Sequence, residues 1–197
     1  GDLDGVDARR SPREEHRLAE QQLRRLGLEL GEPRTRRDRD LDRPRRPPAR
    51  PDELRLERSA AVVNTGDSPI DIEQIMSATW ELPRRDCYTL TTLNGKWGGE
   101  FQIQRTELPM GKQIVERRRG SSGFDSNPFF ALAPTGHTTE RHGEVWFGAL
   151  AFSGNYKLVI ERTAFEQITV SGGIHDFDFQ WRLEPGETFE TPIFVGG

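Results

Sequence analysis

Between Glu116 and Leu132 the chain reads ERRRGSSGFDSNPFFAL. Arg117, Arg118 and Arg119 run into Gly120-Ser121-Ser122-Gly123. Phe124-Asp125-Ser126-Asn127-Pro128 follows, then the apolar Phe129-Phe130-Ala131-Leu132. Glycine tolerates positive φ, and proline fixes φ while removing a donor, so the stretch from Gly120 to Pro128 reads as a loop. Phe129 to Leu132 has the length and character of a short buried strand. A loop carrying guanidinium, carboxylate and amide groups between two strands is a common place for binding groups.

Outward from this loop the pattern stays that of strands. Downstream, Glu144 to Phe152 is apolar, Ser153-Gly154-Asn155 is a tight turn, and Tyr156 to Arg162 is its return. Phe165 to Val170 follows. Phe177, Phe179 and Trp181 then alternate with Asp178 and Gln180, which predicts a strand with three rings on one face. Glu184-Pro185-Gly186-Glu187 is a turn before a final strand, Phe189 to Val195. Upstream, Phe101, Ile103 and Arg105 alternate, and Asn94-Gly95 is a hairpin signal after Tyr88 to Leu93. Asn64-Thr65-Gly66-Asp67-Ser68-Pro69 is a turn between strand regions that begin near Leu54 and at Ile70. Short strands at regular spacing predict an all-β antiparallel sandwich over residues 52–197.

The first 51 residues are different in kind. By count, residues 1–50 hold 14 of the 28 basic residues, all arginine, and no aromatic residue occurs before Trp80. Ser11-Pro12-Arg13-Glu14 has capping-box spacing, and Leu18, Leu23, Leu26 and Leu30 suggest a weak helix over about residues 12–26, stopped by Gly27 or Gly31. Residues 33–51, PRTRRDRDLDRPRRPPARP, have too little apolar area to offset their ordering entropy. Residues 1–51 therefore read as a poorly structured, Arg-rich, non-globular segment. A basic arm for nucleic acid is one reading of it, but Asp38, Asp40 and Asp42 interleave with the arginines and blunt the field. A disordered linker is another. A third is translation from a shifted frame, in which each of these Asp codons becomes Thr or Ile at alternate positions, as a half-buried strand requires.

The net charge of −4 gives no global attraction to nucleic acid. The single cysteine, Cys87, rules out an internal disulfide framework and suits a reducing, cytoplasmic setting. No apolar run approaches the length of a membrane span. Gly1 in place of Met reads as the interior of a longer chain. No cofactor motif is recognised, neither a phosphate loop nor a nucleophile elbow nor zinc spacing. Asp125, Asp176 and Asp178 are the best carboxylates for acid–base chemistry. Asp176 and Asp178, two apart, read as one solvated strand face rather than a catalytic pair. His175, His137 and His142 read as satisfied surface histidines and not as a metal site. Sugar recognition is the better prospect: Trp97, Trp146 and Phe124 supply stacking faces, and Arg119, Asp125 and Asn127 supply hydrogen bonds. Trp80, Trp146 and Trp181, on strands, read first as core. Arg119 and Asp125 also have the spacing to pair with each other and staple the loop.

Several segments together carry a resemblance. Besides Arg119-Gly120-Ser121-Ser122 and Asn127-Pro128-Phe129-Phe130-Ala131-Leu132, they are Met76-Ser77-Ala78 with Trp80 and Leu82-Pro83, Leu93-Asn94-Gly95-Lys96-Trp97, Gly143 to Leu150, Ser153-Gly154-Asn155, Gly172-Gly173-Ile174 and Phe179 to Pro192. In that order, from about Leu54 to the C-terminus, they resemble the N-terminal β-sandwich domain of the glycoside hydrolase family 36 α-galactosidases. The resemblance implies an antiparallel supersandwich of the galactose-mutarotase-like kind. It also implies a non-catalytic domain whose partner is the enzyme's own (β/α)₈ barrel, where the two catalytic Asp residues reside; this chain supplies no catalytic residue, metal ligand or cofactor site. The whole enzyme would release terminal α-galactosyl groups from oligosaccharides such as raffinose and melibiose, with a retaining mechanism, and would form a homo-oligomer. The domain would cap the barrel, support oligomer contacts and lend Arg119, Ser121, Phe124, Asp125 and Asn127 to a sugar-site rim. Family members usually show a His after Ser-Ser, where this chain has Gly123-Phe124-Asp125. A free-standing carbohydrate-binding module is the alternative, with neither nucleic acid nor membrane as partner.

Overall fold

The computed structural model describes residues 28–30, 56–139 and 141–197. Fifteen strands and no helix are found among them. In chain order they are β1 (Leu28–Leu30), β2 (Leu56–Arg58), β3 (Ala61–Asn64), β4 (Ile70–Ile72), β5 (Met76–Leu82), β6 (Tyr88–Lys96), β7 (Gly99–Glu107) and β8 (Gly111–Arg117). They continue as β9 (Phe129–Pro134), β10 (Trp146–Leu150), β11 (Tyr156–Arg162), β12 (Ile168–Ile174), β13 (Trp181–Leu183), β14 (Thr188–Glu190) and β15 (Phe194–Gly196). All the pairings are antiparallel.

Two sheets make the sandwich, one of six strands in the order β2-β15-β10-β9-β6-β7 and one of four in the order β5-β12-β11-β8. Period-two alternation decides what lies between them. On β11, Tyr156, Leu158 and Ile160 are fully buried and Lys157, Val159 and Glu161 turn away; β12 contributes Ile168 and Val170 in the same way. The facing sheet answers with Tyr88, Leu90, Phe130, Leu132, Leu150 and Phe194. Phe194 fills the middle. Its ring lies 4.5 Å from that of Trp80 and 6.3 Å from that of Phe130. A Cβ on Gly172 would come within 2.4 Å of it, and one on Gly148 within 3.1 Å. The two glycines, one in each sheet, leave the space that this ring occupies.

A second core of Ile72, Ile174, Leu183 and Phe189 sits under the smaller sheets, β1-β3-β14 and β13-β4. Asn64 ties this region together. It is fully buried, and its amide donates to the carbonyls of Ser68 and Leu183 at 2.9 and 3.0 Å while its oxygen accepts from Gly66 at 3.0 Å.

The sandwich is as the sequence predicts, with local differences. β1 lies in the segment expected to be non-globular: Leu28 and Leu30 alternate between Gly27 and Gly31, and the stretch pairs with β3. The proposed helix over residues 12–26 falls outside the described residues. The Asn94-Gly95 hairpin signal is displaced. β6 runs on to Lys96, which faces Gly99, and the turn is made by Trp97 and Gly98. Phe177 to Gln180 is a loop instead of a strand, because the Phe177 amide donates to His175 Nδ1 and the Phe179 amide to the Asp176 carbonyl, local bonds that displace a ladder.

Phe194→Ala empties the centre of the core and is expected to lower the unfolding free energy by about 3–5 kcal/mol. Gly172→Ala overpacks the same spot and is expected to cost about 1–3 kcal/mol. Urea unfolding of the two variants checks both values, and Gly172→Ala with wild-type stability would contradict the fit.

Candidate functional site

The loop between β8 and β9 is held from four directions. At its start the Gly120 amide donates to Asn155 Oδ1 and the Ser122 amide to the Ser153 carbonyl, both at 2.6 Å, so the Ser153-Gly154-Asn155 turn is its cradle. At its end the Asn127 amide donates to the Leu93 carbonyl at 3.1 Å, and the Asn127 side chain reaches the same oxygen at 3.3 Å. Ser126 Oγ lies 2.6 Å from the hydroxyl of the buried Tyr156. Gly95 settles where the loop lies: a Cβ there would stand 2.9 Å from the Phe124 carbonyl oxygen and 2.5 Å from that of Gly99. Only a residue without a side chain lets the loop backbone lie against the β6–β7 hairpin.

Charge closes the loop. Arg117 leaves the end of β8 with its guanidinium on the Asp125 carboxylate and its Nε donating to the Ser121 carbonyl. Arg119 Nη1 is 3.2 Å from the other Asp125 oxygen. The Arg117 side chain is only 10% exposed and that of Arg119 is 73% exposed, so the first pair carries the staple and the second is largely screened. Gly123 makes room for this: a Cβ there would be 2.8 Å from Arg117 Nη2. Beside the exposed Arg119, the loop shows the ring of Phe124 to solvent. Trp97, 82% exposed, meets the Phe124 ring edge-on at 6.1 Å.

The five sequence-predicted residues therefore divide. Arg119, Ser121 and Asp125 come together around Arg117, which the sequence reading passed over in favour of its neighbour. Phe124 turns to Trp97. Asn127 turns inward and fastens the loop to β6. Arg119 and Asp125 do pair, but as the weaker half of a three-residue staple.

A second polar group lies beside the loop. β8, β11 and β12 are neighbours, and Lys157 stands opposite both Glu116 and Gly173. Glu116, Lys157 and the chain after β12 thus share one end of the sheet. His175, read from sequence as a surface residue, is 1% exposed. Its amide donates to the Asn155 carbonyl, which pulls the residue inward. Its Nδ1 accepts from the Phe177 amide at 2.8 Å, so the proton sits on Nε2 and is donated to Glu116 at 2.8 Å. Arg118 completes the group with Nη2 2.9 Å from Glu116, and its guanidinium lies over the Phe177 ring at 5.4 Å. Burial alone would raise the Glu116 carboxyl, but the hydrogen bonds from His175 and Arg118 outweigh it and hold it below its ordinary range. Lys157, 2.6 Å from Asp176, likewise holds that carboxyl down. Asp176 and Asp178 do not share a strand face, since both lie in the loop. Trp80 and Trp146 pack on the main core as expected, whereas Trp181 is 49% exposed and only leans on Phe189. Its strand is the short β13, which among the described residues has one neighbour, β4.

This arrangement has known counterparts. Residues 52–184 match the glycosyl hydrolase family 36 N-terminal domain. The chain belongs to that family. It is 38% identical over 135 residues to the α-galactosidase Mel36A of Lactobacillus acidophilus and 39% identical over 140 residues to AgaA of Geobacillus stearothermophilus. These alignments take in 68% and 71% of this chain but only 18% and 19% of the relatives. The crystal structure of AgaA superposes with a TM-score of 0.68 at 39% identity, covering 72% of this chain and 20% of that one. The galactosidase domain of the α-galactosidase-sucrose kinase AgaSK has the same TM-score at 29% identity. The chain spans about a fifth of the length of these relatives.

Because the Glu116 and Asp176 carboxyls are held low in the folded family 36 domain, their contribution to stability is complete above their ordinary values and is lost as pH falls through the folded ones. Thermal unfolding followed against pH is expected to show stability declining below about 4.5 and further below 3.8, the ordinary glutamate and aspartate values. The double variant Glu116→Gln, Asp176→Asn is expected to decline less steeply over that window. An unchanged slope would refute the assignment.

Proposed function

We propose that the chain is the non-catalytic N-terminal domain of an α-galactosidase-type glycoside hydrolase that removes terminal α-galactosyl groups from oligosaccharides such as raffinose and melibiose. The observation that carries this reading is the extent of the match: the family 36 N-terminal domain covers residues 52–184, and the relatives are about four times as long as this chain. Solved structures of a relative support the substrate class, since AgaA variants have been crystallised with stachyose and with raffinose.

In this reading the two carboxyl groups of a retaining glycosidase, about 5 Å apart, belong to the enzyme's (β/α)₈ barrel. Asp125 is a staple, set between Arg117 and Arg119. The domain's own contribution is a rigid edge, with Trp97 and Phe124 at its tip, that supports a sugar-site rim and contacts between subunits in the cytoplasmic enzyme. The exposed Trp97–Phe124 pair also favours a second reading, a carbohydrate-binding module acting alone, because sugars stack on such rings.

A domain exchange separates the two. Residues 52–197 in place of the corresponding domain of the Geobacillus enzyme are expected to give a chimera that hydrolyses raffinose, while the chain by itself releases no galactose. In the chimera, Trp97→Ala is expected to raise KM for raffinose with kcat within about twofold, the signature of lost uniform binding. Hydrolysis by the isolated chain would sink the non-catalytic assignment, and wild-type kinetics in the Trp97 variant would sink the rim.

A further inference from the structure

Beyond the His175 group, two connections meet over the second core. β4 pairs with β13. The residues that leave β4, Glu73 and Gln74, therefore lie beside those that enter β13. Between them is an open cavity of about 410 Å³ lined by Glu73, Gln74, Asp176, Phe179 and Gln180. Its size falls within the roughly 300–1,000 Å³ of small-molecule sites.

We propose that this cavity binds a neutral saccharide, with the Phe179 ring as its platform and the Glu73, Gln74, Asp176 and Gln180 side chains as partners for sugar hydroxyls. The donor and acceptor inventory points to that class. A hydroxyl both gives and takes a hydrogen bond, and the lining offers two amides that do both and two carboxylates that accept. One aromatic face among four polar side chains matches a sugar ring, with its apolar C–H face and polar rim. A purely apolar ligand would leave all four polar groups facing it. A metal ion is disfavoured by the donor set: among the described residues no group of three or more His, Cys, Asp or Glu side chains could hold one. A small cation would find the Asp176 charge already taken by Lys157 at 2.6 Å.

The site is built in advance of any ligand. Phe179 is anchored from behind, its ring 6.1 Å from that of Phe189 in the second core. Asp176 is fixed by Lys157 at 2.6 Å, and the buried His175 before it is held by Glu116 and the Phe177 amide. Asp178 makes the turn with φ +55°, a left-handed conformation that its short side chain tolerates. A loop tethered through the Phe177 amide to a buried histidine loses little further entropy when it takes a ligand. The proposal does not depend on the chain being part of a hydrolase.

Amide-resolved NMR titration of the chain with raffinose tests it. Shifts are expected at residues 73–74 and 176–180, with an affinity that does not change between low and high salt, because the ligand carries no charge. Gln74 and Gln180 are exposed, so the double variant Gln74→Ala, Gln180→Ala is expected to keep the fold and weaken binding by about tenfold. Trp97→Ala, away from the cavity, is expected to leave that affinity unchanged. Shifts confined to Trp97 and residues 119–127 would overturn the cavity proposal while leaving the sugar-rim reading intact. An absence of shifts, a steep salt dependence, or full affinity in the glutamine double variant would overturn the proposal as well.

Discussion

A phenyl ring held between two glycines fixes the separation of the sheets. Phe194 belongs to β15, the second-last strand of its sheet, and it reaches across to Gly172 on β12 while passing Gly148 on β10. Any side chain at either glycine would push the layers apart or tilt the ring. The consequence runs through the sequence order. β15 lies between β2 and β10, so Phe194 packs among strands that are distant from it in sequence. Folding of the main core therefore waits on contacts between residues far apart in sequence, which is entropically slow but cooperative once made.

With the layers fixed, the turn at Ser153, Gly154 and Asn155 becomes the joint for both loops. It receives the amides of Gly120 and Ser122 on one side and that of His175 on the other. The three consecutive arginines then part company. Arg117 enters the first loop and Arg118 turns to the Glu116–His175 pair, while Arg119 stays at the surface with Asp125. Alternation at a strand end explains the parting, since neighbours on a strand face opposite ways. Adjacent identical residues thus support two different structures, and this is why replacing one of them cannot be compensated by the next.

The strands and the loop were legible in the sequence because their signals are local. Period-two alternation on β11 and β12, the glycine-serine run before Asn127-Pro128 and the turn at Asn64 to Pro69 all operate within a few residues. What failed to show was set by register. Nothing beside His175 indicates that Glu116 will stand next to it, 59 residues away, because that neighbourhood exists only once β8, β11 and β12 are side by side. The same holds for Arg117, which the end of β8 carries under the loop while Arg119, two residues on, stays at the surface. The rings of Phe177, Phe179 and Trp181 gave a true period of two but a false strand, since hydrogen bonds to His175 and Asp176 captured the backbone first. The resemblance to family 36 came through because Gly95, Gly148 and Gly172 stand at close approaches that tolerate no side chain, and such positions read directly as letters.

The far edge of the six-stranded sheet shows how one surface can be both protected and available. Among the described residues β7 has a partner only on its β6 side, and an open edge of nine residues is a template for unwanted pairing. Glu100, Arg105 and Glu107 lie along it, and charges on an edge strand discourage another strand from docking. The apolar groups gather instead toward the hairpin tip, where Trp97, Phe101 and Ile103 are exposed and Trp97 meets Phe124. Scattered apolar residues on a surface need no explanation, but rings that touch one another while facing water carry a standing cost of hydration. Covering such a side chain recovers about 1.5–3 kcal/mol, more than a surface ion pair returns. The edge is thus arranged to resist indiscriminate strand addition along its length and to favour contact at its tip.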